Sequence, residues 1–301
     1  MCRKYTHRHN NLTDYKSMEI LRTVDELKTA AANAVAQGKS IGLVPTMGAL
    51  HAGHLSLVER ARRENDVVFV SIFVNPTQFN NPEDLKTYPR TEEADCAKIS
   101  DAGVDFAFIP SVEEIYPEED TRVFDLGEVA AVMEGPMRPG HFNGVAQIVS
   151  RLFEWARPTR AYFGEKDFQQ IAVIRRMVEI EGGFNGLEIV DCPIVREEDG
   201  LALSSRNVRL SADARMAAPL IHKILAKSVD FAKDHSVADT IRFVTEELDS
   251  HPLIKVEYYS IVNPLTMQPL QSWGDCKMAP QGCITAYCGD VRLIDNIKYN
   301  H

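Results

Sequence analysis

The chain has 301 residues, 45% of them hydrophobic and 25% charged, with 33 Lys and Arg against 43 Asp and Glu for a formal net charge of -10. That length and apolar content suit one large or two ordinary globular domains and exclude a disordered chain, while the acidic balance excludes a broad nucleic-acid-binding surface. The six cysteines, at 2, 96, 192, 276, 283 and 288, are too sparse for a disulfide framework and include no CxxC pair, so reduced, packed thiols are expected over a zinc site at Cys276, Cys283 and Cys288.

The first seventeen residues are polar and lack the apolar core of a secretory signal, which points to a cytoplasmic protein. Val24 to Ala36 has helical composition and stops at Gly38, and Ile41 to Thr46 reads as a strand. A helix from about His54 to Glu64, a strand from Val67 to Phe73, a helix from Glu92 to Ala102 and a strand from Val104 to Ile109 continue the alternation. The apolar run Val67 to Val74 is far below the roughly 20 residues of a membrane-spanning helix, so it is a buried strand and no membrane association is expected. After an acid- and proline-rich loop, Ser111 to Arg122, come a helix at Asn143 to Trp155, a short strand at Ala161 to Phe163 and a helix at Phe168 to Glu181. A strand follows at Leu187 to Val195; beyond Ser211, an N-cap, are helices Ala212 to Lys233 and Val237 to Leu248, then strands Val256 to Val262 and Cys283 to Cys288. The alternation predicts an α/β fold with a parallel sheet, and a domain boundary is expected near Gly182-Gly183, giving domains 1-184 and 185-301.

The stretch VPTMGALHAGHLSLV (Val44 to Val58) runs from a strand into a helix, the place where an open α/β sheet presents a loop to a nucleotide. Gly48 and Gly53 allow close backbone approach, the first turn of the helix offers N–H groups to an anion, and His51 and His54 share one helical face from which both can donate to phosphate. The alternatives are that the pair simply caps the helix, or that it binds metal; HxxH lacks the i, i+4 spacing and internal glutamate of a zinc helix. Gly38-Lys39-Ser40 is not a P-loop, because Asn33 stands where that motif needs glycine and the segment precedes its strand. No GxGxxG occurs either.

VPTMGALHAGH, followed in order by SIFVNPTQF (Ser71 to Phe79), YPRT (Tyr88 to Thr91), RPGHFNGV (Arg138 to Val145), YFGEKDFQQ (Tyr162 to Gln170), REEDGLALSSRN (Arg196 to Asn207) and LIDNI (Leu293 to Ile297), resembles the pantoate–β-alanine ligase family over nearly the whole chain. HxGH alone would indicate only a wider nucleotidyltransferase superfamily; another adenylyl-transferring enzyme and a non-catalytic protein of the same fold are the alternatives. The resemblance implies a Rossmann-like parallel-sheet domain, a smaller α+β C-terminal lid domain and a homodimer. It implies a two-step reaction: ATP, with Mg2+, and (R)-pantoate give pantoyl adenylate and pyrophosphate, and the amine of β-alanine then displaces AMP.

By the same resemblance His54 is the proton donor at the phosphates with His51 beside it, and the ATP-binding residues are Met47, Gly48, Ala49, Leu50, Ala52 and Gly53 with that pair. To these it adds Gly164, Glu165, Lys166 and Asp167, then Val195, Leu203, Ser204, Ser205 and Arg206. Lys166 and Arg206 would bring positive charge, and the two serines hydroxyl donors, to a triphosphate. Pro45, Gln78 and Gln170 are the implied pantoate contacts, Asn75 shapes the Gln78 loop, and Ile148 with Val149 fits an apolar wall. No protein-bound metal is expected: after YPRT stand Glu92, Glu93, Ala94 and Asp95, a departure from the adjacent acids that relatives associate with magnesium. Arg138 and His141 carry no assigned step.

Overall fold

The computed structural model describes residues 17–300. The reading of the polar start, Cys2 included, lies outside them up to residue 16. In chain order the first elements are β1 (Glu19–Leu21), α1 (Val24–Ala36), β2 (Ile41–Thr46), α2 (Ala52–Glu64), β3 (Val67–Ile72), α3 (Pro82–Thr87), α4 (Glu92–Asp101), β4 (Phe106–Phe108) and α5 (Val112–Ile115). There follow α6 (Glu134–Met137), α7 (His141–Ala156), β5 (Arg160–Gly164), α8 (Phe168–Glu181), β6 (Glu188–Cys192), α9 (Ala212–Ala217), α10 (Pro219–Phe231) and α11 (Val237–Asp249). The last strands are β7 (Ile254–Val262), β8 (Gln281–Cys288) and β9 (Val291–Lys298). Among the described residues no helix is long and apolar enough to cross a membrane.

The chain forms two compact units. Of the described residues, one comprises those up to Asp125, Arg138–Gly164 and Ile174–Cys192; the other comprises Leu126–Met137, Glu165–Val173 and those from Pro193 onward. This differs from a single cut at residue 184, because β6 pairs in parallel with β5 from Arg160↔Glu188 to Gly164↔Cys192 and so belongs to the first sheet.

The first unit is built on a six-stranded parallel sheet in the order β1-β4-β3-β2-β5-β6. Every residue of β3 is buried, as expected of a central strand covered on both faces. Leu57, Val58 and Ala61 of α2 turn inward onto a core with Val44, Val68, Val70, Ile99 and Ala107. The chain leaves β2 toward one neighbour, β3, and later returns to the other, β5. The carboxyl ends of β2 and β5 therefore mark the topological switch point, where α/β sheets take ligands. β1 was not legible in the sequence: three residues that pair with β4, eighty-odd positions away in the chain, carry no local period.

The second unit holds the antiparallel sheet β7-β8-β9. Ile221, Ile224, Leu225, Val244 and Leu248 of α10 and α11 pack with Ile254, Ile261, Ile284 and Ala286. The single helix expected at Ala212 to Lys233 is divided, because Pro219 has no N–H to continue the ladder and starts α10 afresh. Cys283 and Cys288 lie buried on β8, and burial pushes the Cys283 thiol up to about 12. Cys288 donates its S–H to the Ala214 carbonyl at 3.1 Å. These are packed thiols, as the sequence suggests.

Glu134 ties the 126–137 segment to this sheet. Its buried carboxylate accepts two bonds from Arg292 at 2.7 and 2.8 Å, one from the Tyr258 hydroxyl at 2.8 Å and one from Thr285 at 3.0 Å, and Arg292 also bonds Glu257. Removing one member of a buried pair leaves the other charge uncompensated. Arg292→Met is expected to lower the stability of the protein by about 3 kcal/mol in urea denaturation followed by fluorescence; a loss well under 1 kcal/mol would show that the two hydroxyls suffice for Glu134.

Candidate active site

The first unit carries Pro45, Met47 through His54, Gln78 and Gly164. Pro45 stands opposite Ser71 near the end of β2, and Gly164 is the last residue of β5. Thr46 closes β2 by donating its hydroxyl to the Ser71 carbonyl at 2.7 Å and accepting the Gly48 amide at 3.2 Å. Gly48 then turns at φ +82, where a Cβ would also come within 3.2 Å of an Asp95 carboxylate oxygen. Ala49 follows at φ +51, in the left-handed region that costs a non-glycine residue about 1 kcal/mol.

Asp95, on α4, holds this turn. It has no exposure to solvent, and its two oxygens accept the backbone N–H groups of Ala49 and Leu50, each at 2.8 Å, while Thr91 donates its hydroxyl at 3.0 Å and Lys98 stands 3.9 Å away. Lys98 also donates to the Leu50 carbonyl. In the sequence Asp95 stands out only as one of the acids near a possible metal. Its burial and its saturated oxygens do not fit a metal ligand, and neighbouring Glu92 is paired with Arg22. Among the described residues no three His, Cys, Asp or Glu side chains are grouped to hold an ion.

The turn delivers the histidine pair to the start of α2. His51 is the N-cap, accepting the Gly53 amide on Nδ1 at 3.2 Å, and His54 Nδ1 accepts the His51 amide at 3.3 Å, a reciprocal capping box made of two imidazoles. Their ring centroids lie 4.1 Å apart. A nitrogen that accepts a backbone N–H carries no hydrogen, so in both rings the hydrogen sits on Nε2 and that atom is the donor. The capping that the sequence presents as one alternative is made by Nδ1 of each ring, so it does not use Nε2.

Gln78 is buried at the end of a 3-10 turn, Pro76–Gln78. Its Oε1 accepts from Asn75 Nδ2 at 3.2 Å, and its Nε2 faces the Met47 sulfur at 3.0 Å. Ile148 and Val149 are buried on α7.

The second unit carries Glu165, Lys166, Asp167, Gln170, Val195, Leu203 and Ser204 to Arg206. Residues 165–167 form a 3-10 turn in which Lys166 Nζ lies 3.4 Å from Asp167 Oδ2. Val195 and Leu203 face each other across a hairpin, Leu203 N–H to Val195 O at 3.0 Å, with Arg196 bridged to Ala202 and the bend at Gly200. Ser204 caps the following 3-10 turn by accepting the Arg206 amide at 3.2 Å. In the pair Gln169-Gln170, Gln169 is the structural one, donating to Val129 and Val132 carbonyls at 2.9 and 2.8 Å, and Gln170 occupies a different helical face.

Two adjacent residues of β9, in the LIDNI stretch, hold both of these loops. Asp295 grips Arg196 of the hairpin with bonds of 2.7 and 2.9 Å. Asn296 donates to the carbonyls of Glu165 and Lys166 at 2.8 and 3.1 Å. The sequence assigns no role to either residue of this stretch; two adjacent polar residues between Ile294 and Ile297 were the available signal.

A parallel α/β sheet with a histidine-capped helix at its switch point, and no glycine-rich P-loop, defines a nucleotide-handling protein of the HxGH type. The profile of the Pantoate-beta-alanine ligase family matches residues 19–298. The chain belongs to the pantoate–β-alanine ligase family. It is 60% identical to the pantothenate synthetase of Phocaeicola vulgatus, and 59% identical to that of Porphyromonas gingivalis, in each case over 94% of this chain and 99% of the relative. The crystal structure of pantothenate synthetase from Thermus thermophilus superposes with a TM-score of 0.86 at 48% identity, covering 93% of this chain and 99% of that one. Pantoate-beta-alanine ligase from Francisella tularensis, complexed with beta-gamma ATP and beta-alanine, matches with a TM-score of 0.77 at 36% identity, covering 93% and 97%.

Asp95→Asn keeps the shape of the side chain but removes the charge and sets an N–H against one of the two amides. Hydrogen exchange at the Ala49 and Leu50 amides is expected to quicken by about 10- to 100-fold, the equivalent of one lost charge-assisted bond of roughly 1.5–3 kcal/mol. Unchanged protection at both amides would show that the turn holds itself.

Proposed function

We propose that this chain is an ATP-dependent ligase that condenses (R)-pantoate with β-alanine by way of pantoyl adenylate, releasing pyrophosphate and AMP. The observation that carries this reading is the histidine-capped start of α2, locked at the carboxyl end of β2 in a chain matched to the family from residue 19 to residue 298. A carboxylate that attacks the α-phosphorus of ATP meets four units of negative charge, so the enzyme has to place cations and N–H donors on the phosphates. His54, with His51 beside it, donates through Nε2 as charge grows on the phosphate oxygens. Lys166 and Arg206 supply fixed positive charge, and Ser204 and Ser205 supply hydroxyl donors.

The remaining assignments follow from the family resemblance. Met47 to Gly53 and Gly164 to Asp167 line the nucleotide, with Val195 on its adenine side and Leu203 in the loop that leads to Ser204. Pro45, Gln78 and Gln170 contact pantoate, whose hydroxyls and carboxylate match the mixed donor and acceptor character of an amide, and Ile148 with Val149 meets its methyl groups. No covalent enzyme intermediate is required, because the adenylate is itself the activated acyl group and the amine of β-alanine attacks it directly. Mg2+ enters with the nucleotide, held by ATP oxygens and water, in keeping with the occupied state of Asp95. We assign the enzyme to the cytoplasm as a homodimer.

Exchange of labelled pyrophosphate into ATP is expected to require pantoate and to proceed without β-alanine; exchange at the same rate without pantoate would overturn the substrate assignment. His54→Ala should lower that exchange by about 10²- to 10³-fold, the loss typical of one transition-state donor. Turnover near the wild-type rate, with the helix intact by circular dichroism, would confine His54 to capping.

A further inference from the structure

The RPGHFNGV stretch, Arg138 to Val145, has no place in the chemistry above. Its residues nevertheless meet the Gln78 turn at three points. His141, at the first turn of α7, is buried, and its Nδ1 lies 2.8 Å from the backbone carbonyl of Gln78. A carbonyl only accepts, so Nδ1 carries the hydrogen. Arg138 Nη1 lies 3.1 Å from His141 Nε2, and a guanidinium only donates, so Nε2 accepts. The two partners thus select one tautomer of His141, opposite to that of His51 and His54.

Gly144, one turn further along α7, lets the helix backbone approach the same turn. A Cβ there would stand 2.4 Å from the Thr77 carbonyl oxygen and 2.7 Å from the Gln78 nitrogen, closer than any side chain allows. The Gly144 carbonyl accepts from Asn75 Nδ2 at 3.1 Å, the same amide group that donates to Gln78 Oε1. Asn75 Oδ1 accepts in turn from the Tyr116 hydroxyl at 2.9 Å. The backbone of Gln78 is therefore fixed by His141, and its side-chain amide is oriented by Asn75 so that Nε2 points away from Asn75.

We infer that His141 is a positioning residue for Gln78: its Nδ1–H, held in place by Arg138, sets the carbonyl of the Gln78 turn and through it the amide that receives pantoate. This rests on the reading of Gln78 as a pantoate contact. Because His141 acts on the pantoate side of the reaction, its loss is felt in pantoate recognition and not in nucleotide recognition.

The test uses the full-length enzyme in the pantoate-dependent pyrophosphate exchange assay, with pantoate and ATP varied separately. Asparagine places an N–H where Nδ1 was, whereas glutamine reaches only to where Nε2 was. His141→Gln and His141→Leu are expected to raise the KM for pantoate about tenfold, as for one lost hydrogen bond, with the KM for ATP within about twofold of wild type. His141→Asn should restore most of the loss. Gln78→Ala, measured beside them, separates the two layers. If it leaves the pantoate KM unchanged, the assignment of Gln78 fails; if it raises that KM while His141→Gln does not, positioning by His141 fails alone. Equal defects in His141→Asn and His141→Gln, or a defect shared equally by pantoate and ATP, also overturn the inference. Should His141→Leu fail to fold, the comparison of Asn with Gln carries the test.

Discussion

A carboxylate with no access to water is costly unless every lone pair is answered, and at Asp95 the answer comes mainly from the backbone it holds. The chain has only five residues between the end of β2 at Thr46 and the start of α2 at Ala52, and one of them, Ala49, sits in the left-handed region. Two charge-assisted bonds at 2.8 Å to consecutive amides make that conformation the stable one. The placement of His51 and His54 is therefore not a local property of HAGH. It depends on a residue of α4 more than forty positions away, itself fixed by Thr91 and Lys98.

The same division of labour recurs at the other loops. Two further turns that bear residues of the proposed site are held by side chains on helices and strands, where packing locks their rotamers. Asp295 and Asn296 on β9 fix the hairpin that leads to Ser204 and the turn that bears Lys166. His141 and Gly144 on α7 fix the turn that ends at Gln78. Two of the stretches that carry the family resemblance thus contain holding residues whose work is done on a different stretch.

The α/β alternation was legible because central parallel strands such as Val67–Ile72 are uniformly apolar and the helices between them keep a 3.6-residue period. The histidine pair was legible as a junction of strand and helix. The rest hid for physical reasons. β9 was not recognised as a strand because Asp295 and Asn296 interrupt its apolar alternation; both are buried, an arrangement stable only because distant loops saturate them. The break at Pro219 was visible in composition, but Ala212 to Ala218 are good helix formers and mask it. The compact units depart from a single cut because Leu126–Met137 joins the second through Glu134, a pairing made across more than 150 residues of sequence. Neither pattern nor propensity encodes a contact of that range.

The tautomers add a constraint on the proposed reaction. With Nδ1 of His51 and His54 occupied by the amides of their own helix, each ring offers a dipolar N–H at Nε2 and not an imidazolium charge, as long as the cap is intact. Neutral donors alone would leave most of a triphosphate's charge unanswered in a protein whose net charge is -10. In the proposed reaction the cationic part of the work then falls to the ammonium of Lys166 and the guanidinium of Arg206. On this account the imidazoles report the change in charge on the phosphate oxygens during the reaction, while the ammonium and guanidinium groups set the affinity for the polyphosphate before it begins. In the proposed reaction that separates the roles of the phosphate contacts: the histidines would act on the transition state, and Lys166 and Arg206 on the bound ground state as well.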